Sequence, residues 1–254
     1  MTATSESLLV PFALRLGDDA LILGQRLGEW CGHAPTIEVD LALTNLSLDL
    51  IGQATLFLDY AGKLEGKGRD ADRLAFRRDA VDFTNCLLVE QPNGDFAQTI
   101  ARQFLYSTWQ QLYLNALADS ADDTLAAAAV KCVKEVAYHA RFAAEWVVRL
   151  GDGTEESHRR MSAGLDWMSR FVDELFEMEE ADRALLAAGA GVDKAALRPA
   201  WDAEVARVLK EAMLEALPQR RTLTGGRLGR HTEHLGHILS EMQFLQRAYP
   251  DAVW

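Results

Sequence analysis

The stretch EVDLALTNLSLDLIGQA, residues 38–54, decides the fold class. Its apolar residues recur at helical spacing and cover most of the circumference of a helix, which predicts a helix near the centre of the protein. These residues are Leu41, Leu43, Leu46, Leu48, Leu50 and Ile51. The rest of the chain repeats apolar residues at spacings of three and four, contains only 6 prolines and shows no strand-like alternation. The sequence therefore predicts an all-α protein.

Caps and breakers divide the chain into helices. Thr154 follows the loop 151–153 and Asp95 follows the turn 90–94, so both read as N-caps. The predicted helices span about 12–31, 35 or 36 to 62, 73–78, 95–118, 122 or 123 to 150, 154–179, 193–217 and 231–249. We expect a single helical domain over residues 1–254.

The charge balance excludes several classes of partner. A net charge of −12 argues against nucleic acid and against anionic membranes as general partners. Asp49 and Gln53 interrupt the leucine-rich segment 41–58, so no run resembles a membrane span, and the first residues show no leader pattern. The 3 cysteines form no CxxC pair, which favours a reduced cytoplasmic compartment. Four arginines form a local basic cluster that we interpret as a solvated loop: Arg220, Arg221, Arg227 and Arg230.

One predicted helix carries a polar stripe. Asn45, Asp49 and Gln53 follow one another at four-residue spacing within the apolar helix 36–62. A buried carboxylate needs polar partners, so Asp49 is expected to face other polar groups in the interior. The alternative is that this polar stripe is exposed to solvent.

A second helix offers two further candidates. On a helical wheel of 122–150, Lys134, Arg141, Glu145 and Arg149 form the solvated stripe. Glu135 and His139 lie round the helix from it and are neighbours at i and i+4. With Asp49 they define a candidate, degenerate metal pocket; for His139 alone, an ordinary core histidine is the alternative.

The ligand set for two irons is incomplete. Such a site in a helical bundle takes a Glu from each of two helices and a Glu-x-x-His pair from each of the other two. The helix 95–118 contains no Glu and no His, and Glu155 with His158 reads as a helix start. In the helix 154–179 the acids Asp166, Asp173 and Glu174 read as surface charges. Asp49, Glu135 and His139 supply at most about half of the set, so no catalytic, cofactor or metal residue is assigned.

The segment HTEHLGHILSEMQFLQ, residues 231–246, is the other cluster of possible ligands. His231, His234 and His237 are three residues apart, and Glu241 follows His237 by four. A zinc site on one helix needs further ligands and an open position. The favoured interpretation is a helix docked on the core, with these residues along its polar flank or at a partner interface.

Several strings together resemble one family. They are LRLGDDALILGQRLGEWCGHAP (14–35), EVDLALTNLSLDLIGQA (38–54), LLVEQPNGDFAQTIARQ (87–103), HTEHLG (231–236) and SEMQFLQR (240–247). The chain is similar, over nearly its whole length, to the non-catalytic ferritin-like subunits of the multicomponent ring epoxidases that act on phenylacetyl-CoA.

The resemblance implies a ferritin-like four-helix bundle with additional flanking helices. It implies a structural subunit in aerobic phenylacetate catabolism that pairs with a catalytic, di-iron subunit of the same fold. It also implies no cofactor in this chain, with NADPH, flavin and an iron–sulfur centre belonging to a reductase component. A metal-binding oxidase or oxygenase with a reduced site at Asp49, Glu135 and His139 is the alternative function, and a helical interaction protein unrelated to oxygenation is the third. The partner-binding surface, a homodimer of the isolated chain and any contact with CoA stay open.

Overall fold

The computed structural model describes residues 3–250 and 252, with side chains described from residue 7 onward. Its α-helices, in chain order, are α1 Ala3–Gly28, α2 Ile37–Glu65, α3 Ala71–Phe76, α4 Leu87–Glu90, α5 Phe96–Leu117, α6 Asp123–Gly151, α7 Glu155–Met168, α8 Glu180–Ala187, α9 Arg198–Glu211, α10 Glu233–Met242 and α11 Phe244–Ala248. Short 3-10 turns occupy Ala80–Asp82, Ser169–Phe171, Asp173–Phe176, Ala195–Leu197 and Gly226–Leu228. No strand occurs among the described residues, which confirms the all-α prediction.

The helices form two compact units. Unit 1 comprises residues 1–92 and 225–254, and unit 2 comprises residues 93–224. Unit 1 therefore contains α1 to α4 with α10 and α11, and unit 2 contains α5 to α9. The single domain over 1–254 stays a prediction.

In unit 1, α1 and α2 form an antiparallel pair in close contact. Gly17 of α1 lies against Leu58, where an added Cβ would come within 2.7 Å of that side chain. Seven residues further along α1, Gly24 accepts a 2.8 Å hydrogen bond from the Ser47 hydroxyl through its carbonyl. Glycine at both contacts brings the two helix backbones together.

Local capping sets several helix starts as predicted. The side chains of Asp95 and Asp122 accept hydrogen bonds of 2.9 Å from the backbone N–H groups of Gln98 and Leu125. Thr154 begins α7 with a capping box shared with Ser157. Each cap satisfies a backbone donor that the first helical turn leaves unpaired. The predictions at Asp95 and Thr154 are confirmed, and Asp122 rather than Asp123 is the cap of α6.

Three predicted helices are too long. The segment 154–179 is α-helical only to Met168 and continues in 3-10 turns, in which Phe171, Leu175 and Phe176 are buried. The segment 193–217 is an α-helix only over Arg198–Glu211, with a proline in its first turn. The segment 231–249 is divided between α10 and α11. Helix α8 was not predicted from the sequence.

The core helix of unit 2 is α5. Most of its residues are buried, including Phe104, Trp109 and Leu114. From α9, the Trp201 indole N–H donates a 3.0 Å hydrogen bond to the Leu105 carbonyl on α5. A buried indole needs such an acceptor, so this bond fixes α9 against α5.

Within the described part of the chain, one helix, α2, is long and apolar enough to cross a membrane by length and composition alone. In the most apolar 18-residue stretch of α2, 44% is buried inside the structure. The core helix of a soluble protein can have the same length and hydropathy.

The backbone is strained at Met213, just after the end of α9. Met213 has φ 56° and is 70% exposed, and the Leu214 N–H donates back to the Leu209 carbonyl. Glycine adopts this left-handed conformation without the Cβ clash that costs other residues about 1 kcal/mol. We expect Met213→Gly to raise the free energy of unfolding by about 1 kcal/mol, measured by chemical denaturation. Met213→Ala is the control, because alanine keeps the Cβ; an equal gain in both variants would contradict the explanation.

Candidate functional site

The polar stripe of α2 turns from solvent into the core along its length. Asn45 is exposed, Asp49 is half-buried, and Gln53 is 1% exposed. Four residues exceed one helical turn by about 40°, so a stripe at this spacing drifts round the helix. Asp49 thus lies between the two alternatives, an interior carboxylate and an exposed one, and whether it faces interior polar groups stays a prediction.

On α6 the helical wheel is confirmed. Lys134, Arg141, Glu145 and Arg149 are exposed, whereas His139 is completely buried. Glu135 is half-buried one turn before it. Asp49 belongs to unit 1, whereas Glu135 and His139 belong to unit 2, and the convergence of the three stays a prediction.

The Cys132 thiol lies on the buried face of α6, close to Glu135. Burial raises the pKa of Cys132 to about 12, and the Glu135 carboxylate acts in the same direction, because both disfavour a thiolate. This thiol is a small core residue, as the sequence suggested.

Unit 1 contains a buried ion-pair network that was not predicted from the sequence. Asp18 and Asp19, adjacent on α1, are both 0% exposed. Arg78 donates to both carboxylate oxygens of Asp18, from Nη1 to Oδ2 at 3.0 Å and from Nη2 to Oδ1. Arg227 donates a parallel pair of hydrogen bonds to Asp19, at 2.9 and 2.7 Å. Each carboxylate thus has a bidentate arginine partner, the strongest arrangement for such a pair.

The same two carboxylates hold the non-helical segment 84–86. The backbone N–H groups of Thr84 and Cys86 donate to Asp18 and Asp19 at 2.9 and 2.8 Å. These backbone donors have no helical or sheet partner, so the carboxylates replace the hydrogen bonds that secondary structure would supply.

Glu90 is the third buried acid of the network. It accepts hydrogen bonds from the Asn85 amide at 2.9 Å, and from the backbone N–H and hydroxyl of Thr232 at 2.7 and 2.8 Å. The His231 Nδ1 lies 2.7 Å from Glu90, and its Nε2 donates to the Phe83 carbonyl at 2.9 Å. Both ring nitrogens of His231 therefore face acceptors, Nδ1 the Glu90 carboxylate and Nε2 the Phe83 carbonyl.

The structure corrects two predictions. Arg227 is buried rather than part of a solvated loop, whereas Arg220 stays substantially exposed and pairs with Asp166 at 2.5 Å. Glu174 is 0% exposed rather than a surface charge. The first histidine of HTEHLG serves unit 1 as a hydrogen-bonded anchor, which agrees with the favoured docked-helix interpretation of that segment. The two adjacent aspartates within the apolar α1 sequence are the signal that could have indicated the network.

The described residues contain no group of three or more His, Cys, Asp or Glu side chains arranged to hold a metal ion. Among the described residues, the buried carboxylates are Asp18, Asp19, Glu90, Asp122, Glu174 and Asp182. Asp182 accepts a 2.7 Å hydrogen bond from the Lys194 ammonium, and Asp122 caps α6. Like the three acids of the network, these two carboxylates are bound by cationic or N–H donors of the chain.

The chain belongs to the family described as phenylacetic acid catabolic protein, whose profile matches residues 1–254. It is 51% identical, over 246 residues, to the C subunit of the 1,2-phenylacetyl-CoA epoxidase of Escherichia coli strain K12. The match covers 97% of this chain and 99% of that relative. The resemblance noted in the sequence is confirmed, and the fold class is that of an all-α, ferritin-like chain.

The Asp19–Arg227 pair gives a test of the network. We expect Arg227→Met to lower the free energy of unfolding by about 3–5 kcal/mol, because it leaves a buried carboxylate without its cation. Asp19→Asn in the same chain removes that charge, so the double variant should lose less than the sum of the single losses. Chemical denaturation of the four proteins measures the coupling.

The matched control is Arg220→Met, in the same arginine-rich segment. Its ion pair with Asp166 is substantially exposed, and such pairs contribute at most about 1 kcal/mol. Equal losses at positions 220 and 227, or strictly additive losses at 19 and 227, would refute a buried network.

The thiols provide a second test. Cys31 is exposed, whereas Cys86 and Cys132 are buried. At pH 8 we expect a chromogenic disulfide reagent to label Cys31 rapidly and Cys132 very slowly, since thiolate is the reactive form and the pKa of Cys132 is about 12. Cys31→Ser should abolish the fast phase and leave only slow labelling. Rapid labelling of that variant in the native state would contradict the burial of the other two thiols.

Proposed function

We propose that this chain is a non-catalytic structural subunit of a phenylacetyl-CoA epoxidase, in which it supports a ferritin-like catalytic subunit that carries two irons. The observation that carries the proposal is the identity of 51% to the C subunit of such an epoxidase along nearly the full length of both proteins. Such coverage makes a different architecture a poor explanation.

The donor chemistry of the chain supports a non-catalytic role. Helix α5 has no Glu and no His, and its buried polar side chains include Arg102, Gln103, Ser107 and Gln110. Amides, a hydroxyl and a guanidinium are poor substitutes for the carboxylate and imidazole ligands of two irons. A cation such as Arg102 also disfavours a metal ion nearby. The residues present do not fit a di-iron centre.

The buried carboxylates support the same proposal. In an iron-binding relative of this fold, inward-facing carboxylates are ligands. Here Asp18, Asp19 and Glu90 are held by arginine, histidine and backbone donors. Unit 1 therefore has internal cross-links that need no metal, which suits a chain whose task is to keep its shape while a partner performs the chemistry.

In the proposed assembly the catalytic subunit epoxidises the aromatic ring of phenylacetyl-CoA. Electrons come from NADPH through the flavin and iron–sulfur centre of a reductase component. No step is assigned to a residue of this chain, and a cytoplasmic location remains part of the proposal.

The test is to purify the chain alone, and with the other epoxidase subunits co-expressed, from iron-supplemented cells. We expect well under one equivalent of iron, by mass spectrometry, in the isolated chain. In the complex, iron should be bound and ring epoxidation should proceed. Glu135→Gln and His139→Gln should leave both the iron content and the turnover of the complex unchanged.

Two results would overturn the proposal. Failure of the wild-type chain to co-purify with any epoxidase subunit would remove the structural role. Stoichiometric iron in the isolated chain, lost in Glu135→Gln while the fold is retained, would favour the alternative of a metal-dependent oxidase.

A further inference from the structure

The outward face of α2 is uncharged along most of the helix. Apart from Glu38 in the first turn, the exposed residues from Ile37 to Thr55 recur at spacings of three and four, so they form one face about 27 Å long. We call this face the α2 stripe; its residues are Ile37, Leu41, Asn45, Leu48, Gly52 and Thr55. Ile37 is 78% exposed, and Leu41 and Leu48 are each 61% exposed.

Helix α6 of the same chain shows what a solvated helix face looks like. It has the same length as α2, 29 residues. Its exposed face carries Lys131, Lys134, Arg141, Glu145 and Arg149. Long charged side chains at such positions are the usual pattern for a helix that faces water. The α2 stripe lacks them, so its composition is that of a contact surface.

Gly52, in the middle of the α2 stripe, gives a second and independent indication. A glycine inside a helix costs about 1 kcal/mol relative to alanine. Gly17 and Gly24 have a reason within the chain, because α1 and α2 approach there. A Cβ added at Gly52 would meet nothing within 4 Å. Its missing side chain serves no contact in this chain but would let another helix approach closely.

The charged residues beside the α2 stripe restrict which partner can bind to it. From residue 37 to residue 62, α2 carries Glu38, Asp40, Asp49 and Asp59 and no basic residue; Lys63 is the first. Helices that lie on membrane surfaces are rich in Lys and Arg on their polar face, since these attract anionic lipids. A second copy of α2 would bring acids against acids. The charge pattern therefore favours a different protein with basic side chains beside an apolar face.

We propose that the α2 stripe is the docking surface for a helix of another subunit of the epoxidase, which packs an apolar face along Leu41 and Leu48 and approaches closest at Gly52. Lys or Arg residues of that helix flank the contact and face the acids of α2. The inference rests on the proposed function and specifies which surface meets the partner.

The experiment uses the full chain co-expressed with the other epoxidase subunits, with the affinity tag on this chain. Gly52→Leu fills the open space and improves helix propensity, so it preserves the fold while blocking close approach. Leu48→Lys places a cation in the apolar contact. We expect each variant to retain at least tenfold less partner than the wild type. The matched control is Val130→Lys on α6, where a 51% exposed valine is replaced in the same way and retention should be unchanged.

The outcomes separate this inference from the proposed function. If the wild-type chain retains no epoxidase subunit, the proposed function itself is wrong. If the wild type retains its partner and Gly52→Leu and Leu48→Lys do so equally, the docking surface alone is wrong.

Two further measurements identify other occupants. Light scattering that shows a dimer of the isolated chain, lost in Gly52→Leu while partner retention persists, would assign the stripe to a second copy. Flotation with phosphatidylcholine–phosphatidylglycerol vesicles, lost in Leu48→Lys while partner retention persists, would assign it to a membrane. Either result overturns the proposal.

Discussion

The organisation of unit 1 depends on two adjacent carboxylates buried in α1. Neighbouring helical residues point about 100° apart, so Asp18 and Asp19 reach different partners. Asp18 binds Arg78 and Thr84, and Asp19 binds Arg227 and the backbone of Cys86. A buried carboxylate is costly by several kcal/mol unless it is paired. Segments distant in the sequence must therefore meet at this point of α1, and the helices of the C-terminal segment are anchored as a consequence.

The buried polar side chains of unit 2 are of a different kind. Its core helix α5 carries polar side chains that are neutral or cationic at buried positions, such as Gln103 and Arg102. Its buried acids Asp122 and Asp182 are bound to a backbone N–H group and to Lys194. Throughout the described part of the chain, polar groups in the interior mostly serve to connect segments. These connections hold the chain together through its own side chains and backbone.

Helix α2 has leucines on both its buried face and its exposed face. Its leucines at 43, 46 and 50 are buried, whereas Leu41 and Leu48 are exposed. A helix that is apolar all round is normally surrounded by protein or lipid. The sequence pattern correctly indicated an unusual helix and predicted a position near the centre of the protein. Only the structure separates the face that packs on α1 from the face that is exposed.

The sequence by itself determined the features that depend on neighbours within about one helical turn. The all-α class, the caps at Asp95 and Thr154 and the solvated face of α6 are of this kind, because capping and helical periodicity are local. Only the tertiary structure decided which charged residues are buried. Asp19 and Arg227 are 208 positions apart, and Glu90 and His231 are 141 apart. No local pattern distinguishes a buried, paired arginine from a solvated one, since the distinction depends on which distant segment the fold brings against it.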